Sequence, residues 1–170
     1  FGSGGGTGYG SGGSGGGAVY LNIDGDLTVD GEIRAHGADA TAYYGGGGGS
    51  GGSILIRTTG LMGAGVIAAN GGHGHPSSTR AGGGSGGRIA VWYDQDEFWG
   101  SYYYHGGAGF EFGGAGTLYL KASDDPHGRL IVDNWHQDGQ TTPLTQDDTF
   151  SQIIAQNFGK IEMSEAEKIT

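Results

Sequence analysis

Short runs of alternating apolar and polar residues recur along the chain, separated by stretches dominated by glycine. The first apolar residues of the four runs are Val19, Ile54, Ile89 and Leu118. They lie 35, 35 and 29 residues apart. An alternation of period two predicts β-strands. Its return at nearly constant spacing predicts a stacked repeat, in which each unit buries its apolar face against its neighbours.

Each of the first three units contains three such runs, and the fourth contains two. Each unit closes at a His or Asn residue, and these residues are His36, Asn70, His105 and Asn134. We therefore predict an all-β chain that forms a parallel β-solenoid of about four to five coils. Long glycine-rich loops, at 37–52, 71–87 and 106–116, are expected to project from one side.

Glycine supplies 42 of the 170 residues, against an average usage near 7%. Loops of this length are either disordered or functional. A third interpretation is that the glycine runs pack side by side as extended three-fold helices, where only glycine fits because backbones touch. The corresponding alternative fold is a β-sandwich or β-roll with packed polyglycine helices.

Composition divides the chain into three parts. Residues 1–17 are predicted to be a glycine-rich loop from a preceding coil, and residues 18–136 the four-unit repeat. Residues 137–170 are predicted to form an atypical fifth coil or the start of a following segment. In this part FSQIIAQNFGKIEM favours two short strands around Gly159, with a short helix at 149–157 as the alternative.

The charge balance limits the classes of partner. Eighteen acidic residues against eight basic ones give a net charge of −10, which argues against nucleic acid and anionic membranes as partners. No apolar run is long enough to span a bilayer, and no signal peptide is recognisable. Cysteine is absent, which excludes disulfides.

The closing His and Asn residues have a structural interpretation. Asn and His tolerate left-handed φ better than most residues, and three of the four precede glycine. Stacked on successive coils, they could also exchange side-chain hydrogen bonds as a ladder. Both interpretations are favoured over a metal site or a catalytic site.

Acidic residues follow the first run of three units. They are Asp24 and Asp26, Asp94 and Asp96, and Asp124 and Asp125. Carboxylates at one corner of neighbouring coils suit Ca²⁺, which takes six to eight oxygen ligands. Aspartate is equally an ordinary turn former, and the second unit interrupts the column with Thr58-Thr59-Gly60. No cofactor is predicted, with Ca²⁺ as the single ion that the pattern leaves open.

Aromatic residues crowd the third unit. Trp92, Trp99, Tyr102 and Tyr103 are the candidate ligand-binding residues. The alternation must send at least one ring of Tyr102–Tyr104 outward. Such rings cover glycine backbone, stack on sugar faces or bury against a partner.

The phrases GGSILIRTTGLMGAGVIAANGG and GGAGTLYLKASDDPHGRLIVDN resemble glycine-rich β-solenoid repeats of large secreted or surface proteins of the hemagglutinin and adhesin type. The resemblance covers roughly residues 14–134. It implies a non-enzymatic structural or adhesive module, extracellular or on the cell surface, whose partners are other proteins. Because the open ends of a solenoid expose unpaired strand edges, we also expect copies of the chain to associate end to end in a fibre. The alternative is a carbohydrate-binding or polysaccharide-active domain, although Arg34, Arg57 and His127 form no evident catalytic cluster.

Overall fold

The structure is a computed structural model that describes residues 1–7, 11–41, 45–75, 80–145 and 149–164. This part of the chain contains fourteen strands and no helix, so the fold is all-β. The first nine strands are β1 (Ala18–Asn22), β2 (Asp26–Thr28), β3 (Glu32–Arg34), β4 (Ser53–Arg57), β5 (Gly60–Gly63), β6 (Val66–Ala68), β7 (Arg88–Tyr93), β8 (Gln95–Phe98) and β9 (Ser101–Tyr103). The last five are β10 (Thr117–Ala122), β11 (Arg129–Asp133), β12 (Thr142–Thr145), β13 (Gln152–Gln156) and β14 (Ile161–Ser164). No helix in these ranges could cross a membrane.

The first nine strands form three stacked triplets. Each strand of a triplet pairs in parallel with its counterpart in the next triplet, which produces the sheets β1-β4-β7, β2-β5-β8 and β3-β6-β9. The residues that open the four units share one register, since Val19 faces Ile54, Ile54 faces Ile89 and Ile89 faces Leu118. The predicted alignment of these residues is therefore confirmed.

Period-two alternation places the core between the sheets. Ile54, Ile56, Leu61 and Ile67 of the second triplet are at most 1% exposed. Their counterparts in the first triplet, including Val19 and Leu21, are only partly buried and pack against this core. The difference arises because the first triplet has a neighbouring triplet on one side only.

The fourth unit departs from the repeat. Its first strand, β10, continues the parallel sheet beside β7. The chain then reverses, and β11 pairs antiparallel with β10 instead of starting a second sheet face. A narrower stack follows, in which β11 pairs in parallel with β13, and β12 with β14. The two strands predicted around Gly159 are confirmed, and the helical alternative at 149–157 is wrong.

The glycine-rich segments are ordered extended tracts. Four upstream tracts lead into the first strands of the units, at 11–17, 47–52, 82–87 and 111–116. Downstream tracts, at 37–40, 71–75 and 105–110, follow the third strands. An outer tract, residues 1–7, lies against the first two upstream tracts. The expectation of loops that project from the solenoid is therefore wrong for these residues, since backbone hydrogen bonds join the tracts to one another.

The direction of these hydrogen bonds repeats every three residues. Along the upstream tract 47–52, successive amides donate to three different neighbours in rotation. The acceptors lie in the outer tract 1–7 for Gly47 and Ser50, in the upstream tract 82–87 for Gly48 and Gly51, and in residues 35–38 for Gly49 and Gly52. A rotation of three residues per turn without internal hydrogen bonds is that of a polyproline-II-type helix. The tracts therefore form a bundle of glycine helices, as the third interpretation of the glycine runs proposed.

Close approach explains why these positions are glycine. A Cβ atom on Gly48, Gly72 or Gly107 would lie 1.9–2.0 Å from a carbonyl oxygen of a neighbouring segment. Positive φ does not explain them, because the glycines with positive φ in the described ranges are Gly45, Gly63 and Gly128. Glycine is needed here because backbones are in contact.

Candidate functional site

The closing column of His36, Asn70, His105 and Asn134 joins consecutive units, mostly through backbone groups. The amide of Asn70 donates to His36 Nδ1 at 3.0 Å, and the amide of Gly106 donates to Asn134 Oδ1 at 2.8 Å. Asn134 is completely buried. Its Nδ2 donates to the carbonyl oxygens of Gly113 and Gln137.

The predicted ladder of bonds between these side chains is therefore wrong for the four described residues. Instead, the His36 and Asn134 side chains accept hydrogen bonds from backbone amides of a neighbouring unit. The conformational argument for this column is wrong. The described non-glycine residues with positive φ are Trp135, His136, Asn157 and Phe158, and no member of the column is among them.

The acidic candidates lie at separate places along the stack. Asp26 of β2 and Asp96 of β8 flank β5, which puts Gly60 and Leu61 between the two carboxylate-bearing strands. Neighbouring strands are about 4.8 Å apart, so these two strands are separated by roughly 10 Å. Among the described residues no group of three or more His, Asp or Glu side chains is placed to hold a metal ion. Asp24 and Asp94 lie next to these strands, in the links that precede β2 and β8.

Asp124 and Asp125 lie in the turn between β10 and β11. The Asp125 carboxylate accepts hydrogen bonds from the Ser151 hydroxyl and from the His127 amide. These bonds stabilise the charged form and lower the pKa of Asp125 to about 2. The Asp125 side chain therefore fixes the turn, which is the turn-forming interpretation of this part of the column.

A cleft of about 300 Å³ gathers aromatic and polar side chains where the third triplet meets the C-terminal stack. Tyr103 and His105 contribute rings from the third unit, and Trp135 contributes one from the turn after β11. The Trp135 ring stacks on His105, with centroids 5.1 Å apart and planes at 26°. Tyr103 tilts towards the same indole at 5.8 Å. Trp135 is 59% exposed, so the cleft has one accessible aromatic wall.

Asp133 supplies the carboxylate of this cleft, and three donors hold it. The amide of Trp135 donates to Oδ1 at 2.7 Å. Gln156 Nε2 and Asn157 Nδ2 each donate to Oδ2 at 2.8 Å. Trp135 and Asn157 have positive φ, at 49° and 48°. Left-handed non-glycine residues require support from their surroundings, and the bonds to Asp133 provide it.

Burial sets the protonation of the neighbouring rings. Desolvation lowers the pKa of His105 below its ordinary value, and nearby His73 and His36 lower it further. The Gly106 carbonyl and Asp133 act in the opposite direction and offset only part of this lowering. Burial and Asp133 raise the pKa of Tyr104. At neutral pH the cleft therefore presents an uncharged imidazole and an uncharged phenol beside the Asp133 side chain, which suits hydrogen bonding to a polar neutral ligand.

The aromatic candidates from the sequence divide between core, cleft and open surface. Tyr102 packs edge-on against Phe98 at 5.2 Å, and its buried hydroxyl has no hydrogen-bond partner among the described residues. Trp92 packs edge-on against Tyr119 at 5.4 Å, with the Arg57 guanidinium 5.2 Å from its ring centroid. Trp99 is 87% exposed. Of the four candidates, Tyr102 and Tyr103 line the aromatic cleft.

Sequence reasoning missed Trp135, Asp133 and Asn157 of the cleft. Asp133 is the last residue of β11, and Trp135 and Asn157 lie in the turns after β11 and β13, whereas Tyr103 belongs to a different sheet. A large aromatic residue inside the polar turn DNWHQDG was the available signal. The reversal of the chain after β10, which brings this turn to the third unit, has no such signal.

Comparison of the chain with protein-family models, with curated proteins and with solved structures gives no match.

Proposed function

We propose that the chain is a non-enzymatic structural module of a large extracellular or cell-surface protein, built as a parallel β-solenoid that a glycine-helix bundle braces. The ladder from Val19 through Ile54 and Ile89 to Leu118 carries this proposal, because such a stack can be extended by adding strands at its end. Backbone hydrogen bonds join the glycine tracts of consecutive units beside this stack, which is suited to mechanical strength.

End-to-end association follows from the first triplet. Within the described ranges strands β1, β2 and β3 pair on one side only, and Val19, Leu21, Leu27 and Ile33 are only partly buried. An unpaired strand edge with apolar residues along it is a template for another strand. We propose that the matching end of a second copy covers this edge and produces a fibre.

Blocking the edge of β1 tests this association. The Ile23 amide donates to Arg57 O and Gly17 O accepts from the Ser53 amide, so odd-numbered residues of β1 bond to β4 and the Tyr20 amide points outward. Tyr20→Pro removes an outward donor and leaves the β1–β4 ladder intact. Tyr20→Thr retains the donor and serves as the control.

Sedimentation velocity over a wide range of concentrations should show growing oligomers for the native chain and for Tyr20→Thr, and a monomer for Tyr20→Pro. A native chain that is monomeric at all concentrations would contradict end-to-end association. Equal association of all three proteins would exclude the β1 edge as the contact.

The aromatic cleft favours carbohydrate binding as a second candidate function. The exposed Trp135 indole, with Asp133 and Asn157 beside it, combines an apolar ring face with polar groups. This is the combination that binds the face and the hydroxyl groups of a sugar ring. Among the lining residues Asp133 is the only carboxylate, whereas most glycoside hydrolases use two. Binding without cleavage is therefore the activity that we propose for the cleft.

A matched pair of tryptophan variants tests this candidate. Trp135→Ala should weaken the affinity for a binding oligosaccharide by about tenfold or more, since a stacking platform is lost. Trp99→Ala removes an indole that is 87% exposed outside the cleft and should leave the affinity unchanged. Glycan-array screening followed by calorimetry makes the measurement. An array without binding, or equal losses in the two variants, would exclude the cleft as a sugar site.

A further inference from the structure

The outer tract, residues 1–7, shows how an additional glycine helix attaches to the bundle. Its Gly2 and Gly5 amides donate to the carbonyl oxygens of Gly16 and Gly13, each at 2.8 Å. In the other direction, the amides of Gly47 and Ser50 donate to the outer tract at 3.0 and 2.9 Å. The outer tract thus lies in the furrow between upstream tracts 11–17 and 47–52, antiparallel to both.

The next furrow, between upstream tracts 47–52 and 82–87, presents the same groups one repeat later. The bond from Gly13 N to Gly47 O recurs from Gly48 N to Gly82 O, which fixes the offset at 35 residues. The four groups equivalent to those that hold the outer tract are Gly48 O, Gly51 O, Gly82 N and Ser85 N. None of the four has a hydrogen-bond partner among the described residues.

The side chains repeat this relationship. Ser50 Oγ lies 3.0 Å from Ser3 Oγ of the outer tract. Ser85 occupies the equivalent position in the next furrow, and its side chain is exposed with no partner in the described part of the chain.

The part of the furrow that contains Gly51 and Ser85 forms part of the floor of a groove of about 590 Å³. Its floor includes Ser50–Ser53, Ser85–Arg88 and Gly114–Thr117, and Phe1–Ser3 form one wall. Residues 140–144 form the other wall, where Gln140 O lies 2.8 Å from the position of a Cβ atom on Gly114. Residues 140–144 therefore contact upstream tract 111–116, and the furrow between tracts 47–52 and 82–87 lies open between this segment and the outer tract.

We propose that this groove binds an extended glycine-rich segment of another polypeptide, which runs antiparallel to residues 82–87 as a further helix of the bundle. The outer tract indicates which sequences fit. A Cβ atom on Gly2 or Gly5 would lie 2.2 or 2.1 Å from a carbonyl oxygen of the floor, whereas one on Gly6 meets nothing within 4 Å. The partner therefore needs glycine at every third position and tolerates small side chains between, with serine favoured opposite Ser85.

A peptide of the outer-tract sequence FGSGGGT, with blocked termini, is the probe. Its control is FASGAGT, which carries alanine at the two positions that contact the floor. Titration into the ¹⁵N-labelled protein should shift the Ser85 and Gly82 amide resonances with the first peptide and leave them in place with the second. The Ser50 amide reports on the occupied furrow, so exchange of the peptide with the chain's own outer tract would be seen separately.

Ser85→Pro and Ser85→Ala are the matching protein variants. Both lack the Ser85 hydroxyl, and proline, which fits an extended three-fold helix, also lacks the amide donor. Loss of the amide hydrogen bond should make peptide binding to Ser85→Pro about fivefold weaker than binding to Ser85→Ala.

Three results would overturn the proposal. The first is that neither peptide shifts the Ser85 amide resonance, and the second is that both peptides shift it equally. The third is that the Ser85 amide of the dilute protein is already protected from hydrogen exchange before any peptide is added. The last would mean that the chain itself or a second copy fills the groove.

Discussion

A Cβ atom on Gly84 would lie 2.0 Å from the carbonyl oxygen of Gly49, the corresponding residue of the preceding upstream tract. The Gly84 amide meanwhile donates to Gly72 O at 2.9 Å, so a downstream tract holds the residue from a second direction. Gly84 therefore cannot move away from Gly49 without breaking that bond. The packing of the bundle therefore requires glycine at position 84 because glycine has no side chain, and not because glycine can adopt backbone angles that other residues avoid.

Gly84→Ala should lower the free energy of unfolding by about 3 kcal/mol, since overpacking against rigid backbone is relieved only by moving a tract. Gly17→Ala is the control, because a Cβ atom there meets nothing within 4 Å. That variant should be neutral or stabilising by up to about 1 kcal/mol, through the lower entropy of the unfolded chain. Urea unfolding of the two variants makes the comparison, and equal stabilities would contradict contact between the tracts.

Asn134 offers a second test, because one buried side chain satisfies three backbone groups. Its amide bonds to Gly106 N, Gly113 O and Gln137 O at 2.8, 3.1 and 2.7 Å. Asn134→Ala should destabilise the protein by about 3 kcal/mol, since buried polar groups lose their partners. In the same column Asn70 Oδ1 is buried and has no hydrogen-bond partner among the residues that the structure describes, so Asn70→Ala should cost less than about 1 kcal/mol. Thermal unfolding measures both losses of stability. A larger loss for Asn70→Ala than for Asn134→Ala would show that Asn134 is not the side chain that holds the column together.

The repeat was predictable because it depends on a local signal. Alternating residues such as Val19 and Leu21 recur at a spacing of 35 residues, and strands with equal patterns pair in register. The reversal after β10 was not predictable, because Leu130 and Val132 alternate in the same way whether β11 pairs parallel or antiparallel. The aromatic cleft depends on that reversal, so its Trp135 wall could not be assigned from the sequence.

The glycine tracts show a different limit. Composition alone left disorder, functional loops and packed helices open for residues such as 47–52. These three interpretations are distinguished by the positions of the neighbouring tracts, which supply an acceptor for each successive amide of residues 47–52. That information lies in the offset between repeats and not in any single tract.

His105 should make stability depend on pH. Its pKa in the folded chain lies below the ordinary value of 6.5, chiefly because burial disfavours the imidazolium. At pH values between the folded and the unfolded pKa of His105, the unfolded chain therefore binds more protons than the folded chain. The stabilising effect is complete above the unfolded pKa and is lost as the pH falls towards the folded value.

The His105→Asn variant isolates this effect, because asparagine is the residue at the equivalent position 70. The urea midpoint of the native chain should fall more than that of the variant between about pH 7.5 and about pH 5. NMR titration of the His105 ring would measure the lowered pKa directly. Identical pH dependence of the two proteins would show that His105 is not the group responsible.

Hydrogen exchange distinguishes an ordered glycine bundle from loops that merely lie near one another. The amides of Gly49, Gly72 and Gly84 donate to Ala38, Gly49 and Gly72 at 2.8–2.9 Å, so these glycines link upstream and downstream tracts across the bundle. We expect them to exchange about 100-fold or more slower than unprotected amides, because local opening must break several tract contacts together. The Ser85 amide, one residue after Gly84, has no acceptor among the described residues and should exchange rapidly. Rapid exchange at Gly84 as well as Ser85 would mean that the tracts do not hold one another in solution.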